Sequence, residues 1–306
     1  MDIFSLVFFK VITLLISVSI GFVAGRVVNV QRDSVAALLF YVIAPIVFFN
    51  SISKTPINME TLSLPILVYM ISSILCVMFY YWGKLYWSDA TKNVLALSAG
   101  NGNAGYFGLP IAILLFNEEQ VGIYMISIIG IILFENTLGF FITAKSQHDV
   151  RTSLIRVVKL PLLHAFFLGC IFSLLEIKIP SMFDDFMINV RGSYTILGMT
   201  LVGLGISSLD NVKLDFKFIA MSFLAKFFMW PLLVLLVILL DQNLWQWYSQ
   251  DIYNILLLIS FVPLAANTVV IASILKVYPE KAASAVVASM IFAAIYVPLM
   301  VMIFLK

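Results

Sequence analysis

Long apolar runs separated by short polar turns make up almost the whole chain. Runs near residues 4–25, 34–52, 62–83, 93–116, 120–144, 152–175, 190–209, 216–240, 252–275 and 282–305 each approach the ~20 residues that a helix needs to cross a lipid core. The connections are short, so no soluble domain or long linker fits between them. The pattern predicts an all-α membrane protein with ten transmembrane helices. Residues 4–25 read as a first helix that is retained. No basic segment precedes that run, Lys10 lies inside it, and no clean small-residue cleavage site follows.

Composition agrees with a lipid solvent. The 306 residues are 62% hydrophobic and only 11% charged, against about 25% charged in a soluble domain. The net charge of +2 gives nucleic acid no reason to bind. Cys76 and Cys170 sit in apolar runs and read as small core residues. Orientation follows the basic residues. The odd-numbered connections carry Arg26, Arg32, Lys84, Lys92, Lys145, Arg151, Arg156, Lys159, Lys213, Lys217, Lys276 and Lys281, whereas the even ones carry Lys54, Lys178 and Arg191. The odd connections are therefore expected in the cytoplasm. Both termini then lie outside the cytoplasm, with the chain multi-pass in the cell inner (plasma) membrane.

Ten helices divide into two five-helix halves, residues 1–144 and 152–306, and an odd number of spans inserts the halves in opposite senses. This is the inverted repeat of many secondary transporters. At an offset of 161 residues Asn93 meets Asn254, Leu95 meets Leu256, Ala104 meets Ala265 and Glu119 meets Glu280. Within this register helices 4 and 9 are both interrupted. The first break is Gly100-Asn101-Gly102-Asn103-Ala104-Gly105-Tyr106-Phe107-Gly108-Leu109-Pro110, and the second is Pro263-Leu264-Ala265-Ala266-Asn267-Thr268. Glycine costs about 1 kcal/mol and proline about 3 kcal/mol relative to alanine inside a helix. In lipid the freed backbone groups must find protein partners or line a wet cavity. The glycine-rich break is expected to be the more open of the two, with the second mainly completing the cross. Its literal G-x-G-x-x-G lacks the strand–turn–helix that a dinucleotide site requires.

Paired breaks expose helix ends at one depth, where N–H groups attract anions and carbonyls attract cations. Asn101, Gly102, Asn103, Gly105, Pro263, Asn267 and Thr268, with Asn50 in the second span, are the candidate substrate-binding residues. Glu135 and Lys226 are the ionisable side chains deepest within spans. Lys226 lies about ten residues into its span, ~15 Å deep. Intramembrane charges of this kind mark ion pathways, substrate counter-ions or structural pairs. The two are candidates for ion coupling or for pairing with one another. His164 reads as a hydrogen-bonded core residue, and Lys10 and Lys159 as side chains that snorkel from span ends. No nucleophile–base pair or metal-ligand cluster appears in the spans, so an intramembrane enzyme is disfavoured and neither catalytic nor metal residues are assigned. A ligand sensor without flux stays open.

The Gly100–Pro110 segment resembles the glycine–asparagine–leucine–proline crossover of the auxin efflux carrier family. Pro263-x-Ala265-x-Asn267 followed by Lys276-Val277-Tyr278 resembles its second crossover. Tyr41-x-x-Ala44-Pro45 and Lys226 before Pro231 also fit the pattern, which covers essentially the whole chain. The resemblance implies a crossover fold related to bile-acid sodium symporters, with crossed discontinuous helices 4 and 9. It further implies alternating-access transport of a small organic anion, either a dicarboxylate such as malonate or an auxin-like carboxylate. No cofactor is expected beyond a coupling H+ or Na+. The expected partners are the substrate and the bilayer, and a homodimer stays open. The fifth connection, residues 145–151, lacks the long cytoplasmic loop of many plant relatives.

Overall fold

The computed structural model describes residues 2–144, 158–207 and 214–305. These form twelve helices: α1 (Ile3–Val27), α2 (Arg32–Ile52), α3 (Met59–Lys84), α4 (Thr91–Gly100), α5 (Ala104–Leu115), α6 (Glu118–Thr143), α7 (Pro161–Leu174), α8 (Asp184–Ser207), α9 (Phe216–Trp245), α10 (Gln250–Phe261), α11 (Asn267–Ile274) and α12 (Pro279–Phe304). Six of these, α1, α2, α3, α6, α9 and α12, are long and apolar enough to cross a membrane. The run predicted at 152–175 is helical from Pro161, and residues 152–157 lie outside the described residues. So do Lys145, Arg151, Arg156 and Lys213.

Local sequence explains the helix starts. Asn58 and Thr61 cap α3 reciprocally, and Asn117 and Gln120 do the same for α6. Three prolines inside predicted spans, Pro45, Pro110 and Pro231, each follow a widened π turn, at 39–43, 104–108 and 224–229. Proline has no N–H for the carbonyl one turn back, and a wider turn absorbs that defect without ending the helix. Large side chains such as Phe9, Ile16 and Ile20 on α1, Phe167 and Ile171 on α7, and Leu232 and Leu236 on α9 point outward. In water they would be a liability, but a lipid belt is their natural surrounding. His164 is exposed on this outer face rather than buried in the core. It shares α7 with Phe167, which also faces outward.

Two groups of helices can be followed. α1 lies along α8, and α7 lies along α2. The first pair closes through glycine: a Cβ on Gly203 would sit 2.0 Å from the Val18 carbonyl oxygen, and one on Gly21 would sit 2.0 Å from that of Thr200. The second group gathers α3, α4 and α6 on one side and α9, α10, α11 and α12 on the other. Lys281 ties the starts of three helices in this group, with Nζ 3.0 Å from Asp215 Oδ2 and donating at 3.0 Å to Thr91 Oγ1.

Two outcomes follow from this packing. Gly203→Val should lower the melting temperature, since overpacking against backbone costs ~1–3 kcal/mol or more. Gly192→Ala, which meets nothing within 4 Å, should not, and fluorescence-monitored unfolding separates the two. Burial pushes the Asp215 carboxyl up, but the Phe218 N–H and Lys281 outweigh it and hold it below 3.8. A carboxylate depressed on folding stabilises above its unfolded pKa, and that contribution fades as pH falls through the folded value. The melting-temperature gap between wild type and Asp215→Asn should therefore be present above the unfolded carboxylate range and close as pH falls through the lower folded value.

Candidate functional site

The two breaks touch. α4 ends at Gly100, Asn101–Asn103 run without helical bonding, and winding resumes at Ala104. α10 ends at Phe261 and α11 begins at Asn267. Gly102 pairs with Leu264 in an isolated antiparallel bridge, and the Asn103 N–H donates to the Pro263 carbonyl at 2.8 Å. The Leu264 N–H donates to Ser289 Oγ at 3.2 Å. Asn103 Oδ1 accepts the Phe107 N–H at 3.3 Å and so starts the π turn of α5. The first break is thus shorter than expected, and the second, 262–266, is the longer interruption. Gly105–Pro110 is helical because the π turn takes up the glycines and Pro110 falls in the first turn after it, where its missing N–H costs little.

Glu135, on α6, joins both breaks. Its Oε1 accepts from Asn101 Nδ2 at 2.7 Å and its Oε2 from Asn267 Nδ2 at 3.0 Å. Asn101 Nδ2 also lies 3.4 Å from Thr268 Oγ1. The carboxylate therefore sits by the first residues of α11, where the helix dipole favours negative charge. Lys226, on α9, is fully buried and does not pair with it. Its Nζ lies 3.4 Å from the Ile259 carbonyl and 4.3 Å from the Trp230 ring centroid. A Glu135–Lys226 pair, one of the roles left open from sequence, is not formed: Glu135 is met by the Asn101 and Asn267 amides and Lys226 by the Ile259 carbonyl. Asn103 Nδ2 and Asn101 Oδ1 are buried and have no hydrogen-bond partner within the protein.

A cavity of about 540 Å³ lies against this junction. Gly102, Asn103, Gly105, Glu135 and Asn267 line it, together with Phe40, Tyr41, Phe48, Tyr106 and Tyr194. Asn101, Pro263 and Thr268 stand behind the lining. Asn50 is buried in α2 away from the cavity, and Lys226 lies outside the lining too. Lys159, Leu160 and Pro161 also line the cavity. Lys159, expected only to snorkel, is thus a cation in the lining. Tyr106 and Tyr194 went unassigned from sequence. Their rings stand 5.3 Å apart, and a Cβ on Gly198 would overlap Tyr106, so the break segment packs directly on a bare stretch of α8.

Toward the even-numbered connections the same helices close up. A Cβ on Gly122 of α6 would lie 1.6 Å from Thr55 Oγ1 and 2.9 Å from the Ser51 carbonyl oxygen. Lys54 reaches Asp184 at 3.4 Å and Glu118 at 3.9 Å on the rim above. α2 and α6 therefore meet at one end and part at the other, with the cavity between them.

Residues 6–301 match the family described as membrane transport protein, of the auxin efflux carrier type, which bears out the resemblance carried by the Gly100–Pro110 and Pro263–Asn267 motifs. No curated protein matches the chain. The junction's tolerance of side chains can be tested directly. A Cβ on Gly100 would meet the Ser72 carbonyl oxygen at 2.6 Å and the Phe134 ring at 2.4 Å, whereas one on Gly105 would meet only the Tyr194 hydroxyl, at 2.8 Å. Gly100→Ala should lower the melting temperature by the equivalent of ~1–3 kcal/mol. Gly105→Ala should be milder, because the tip of a tyrosine can move. Reversal of that order in thermal unfolding would contradict the geometry.

Proposed function

The chain belongs to the membrane transport protein family, and from that premise we propose that it carries a small organic anion across the membrane by alternating access. The observation that carries this reading is the meeting of two broken helices at the floor of a cavity with one open end. Breaks so placed are costly in lipid and are retained where they line a substrate path.

The proposed architecture is two inverted five-helix halves. It is supported by the register of the bridge. Under the 161-residue offset Gly102 corresponds to Pro263 and Asn103 to Leu264. The bridge joins Gly102 to Leu264 and Asn103 to Pro263, as a two-fold axis between the breaks would. The pairing of α1 with α8 and of α7 with α2 repeats the same relation. In this proposal α1, α2, α7 and α8 form a scaffold and the remaining helices a mobile core. In the same proposal the cavity opens to the cytoplasm, a reading supported by Lys159 of an odd-numbered connection in its lining, and is closed outside at Gly122, Thr55 and Lys54.

Lys159 draws an anion to the cavity, and Asn103 Nδ2 offers it a donor that the protein leaves unused. The aromatic wall of Phe40, Tyr41, Tyr106 and Tyr194 suits a carboxylate with an apolar body, while malonate would fill little of the volume. An ionised Glu135 on the floor repels such an anion. A proton or Na+ taken up with the substrate removes that repulsion, which makes Glu135 the coupling group.

Proteoliposome uptake with a panel running from malonate to aryl carboxylates tests both points. Asn103→Ala and Asn267→Ala should each cut uptake at least tenfold, as loss of a buried hydrogen bond worth ~1.4 kcal/mol or more would do. Glu135→Gln should leave uptake insensitive to the imposed pH or Na+ gradient. Wild-type uptake rates in both asparagine variants would sink the assignment.

A further inference from the structure

Each break strands a backbone carbonyl at the end of a half-helix. In an unbroken helix the Ile259 carbonyl would accept from the N–H of residue 263, but residue 263 is proline and has none. The Ala99 carbonyl would accept from the N–H of Asn103, but that N–H is spent on the Pro263 carbonyl across the junction. Both carbonyls are met from one helix. On α9, Lys226 Nζ lies 3.4 Å from Ile259 O, and Trp230 Nε1 donates to Ala99 O at 2.9 Å. The two side chains sit about one turn apart, across the π turn Leu224–Met229, and so point the same way. They also hold one another, for Nζ stands 4.3 Å from the Trp230 ring centroid.

From this we infer that Lys226 is a built-in cation of the junction, occupying the carbonyl end of α10 where a monovalent metal ion would otherwise be coordinated. Three features agree. The last carbonyls of α10 form the negative end of a helix dipole in a low-dielectric setting, where an ammonium is favoured and an unpaired carbonyl is not. Lys226 is completely buried, and no carboxylate forms an ion pair with it among the described residues. Gly102 packs against the ammonium, since a Cβ there would stand 2.7 Å from Nζ and the tip of the lysine would have to give. Position 102 therefore serves the lysine as well as the bridge. Glu135 at the start of α11 and Lys226 at the end of α10 then compensate opposite poles of one broken helix.

This inference deepens the transport reading and rests on its site, yet it can fail separately, because its test reads stability rather than flux. Wild type, Lys226→Ala, Lys226→Met, Lys226→Gln and Lys226→Arg are purified in detergent. Each is unfolded thermally in choline chloride and again in NaCl, LiCl or KCl at matched ionic strength. The alanine and methionine variants should melt lower than wild type in choline and recover saturably with one of the metal ions, by more than wild type responds to it. Lys226→Arg, which keeps a cation, should show no such gain. A variant that is monodisperse only when purified in the metal salt gives the same answer. Responses of Lys226→Ala and Lys226→Met no larger than that of wild type would overturn the inference. So would a Lys226→Gln protein with the wild-type melting temperature in choline, because a neutral donor would then suffice.

Discussion

The structure turns on how two interrupted helices satisfy their backbones away from water. In lipid an unpaired N–H or C=O has no solvent to turn to, and each one left bare costs several kcal/mol. Here the breaks answer one another. The Gly102–Leu264 bridge and the Asn103–Pro263 bond use the freed groups of one break to serve the other. Neither break is tenable alone, so the two halves of the chain are bound together at the point where the backbone is weakest. The remaining carbonyls and N–H groups then recruit side chains from neighbouring helices: Ser289 from α12, and Trp230 and Lys226 from α9.

The same constraint sets the electrostatics. A broken helix carries partial charges of opposite sign at its two inner ends, and the protein meets them with two full charges that do not touch. Glu135 is held through the amides of Asn101 and Asn267 rather than by a cation. Neutral amides fix a carboxylate in place without cancelling its charge. In the proposed cycle that charge is what answers the entering substrate, a role that a salt bridge to Lys226 would oppose.

Much of this could be read from the residues. The breaks are legible because Gly, Asn and Pro are poor helix formers, and their recurrence at one offset marks a pair. Glu135 and Lys226 stand out as charges deep in apolar runs. The extent of each break could not be read in the same way. Propensity counts Gly105, Gly108 and Pro110 against a helix, whereas the structure winds the two glycines into a π turn started by the Asn103 side chain and sets Pro110 in the first turn after it. The partner of Lys226 was equally hidden, because it is a carbonyl and sequence does not show which carbonyls lose their donors. Pro263 was the available signal, since it removes the N–H that Ile259 would have used. Asn50, His164 and Lys159 show the limit of depth alone. Depth along a helix is legible from sequence, but the face a residue presents depends on which neighbours pack there.

The closed end of the cavity follows from side-chain size. At Gly122 there is no Cβ, so α6 seats directly on Ser51 of α2 and on Thr55 just past the end of that helix. One turn and more further along α6, Ile128, Ile131 and Ile132 are bulky, and they hold α2 away to leave room for a ligand. Closing the open end would drive those isoleucines against Phe40, Tyr41 and Ala44, and would lift Thr55 off Gly122. The surface contacts on the closed rim oppose this only weakly. Lys54 is shared between Asp184 and Glu118 at 3.4 and 3.9 Å on a solvated edge, and such pairs are worth ~0–1 kcal/mol each. The main resistance is the glycine-mediated contact itself. It is small, backbone against Thr55 Oγ1 and the Ser51 carbonyl oxygen, and so suits the breaking and re-forming that the proposed cycle requires.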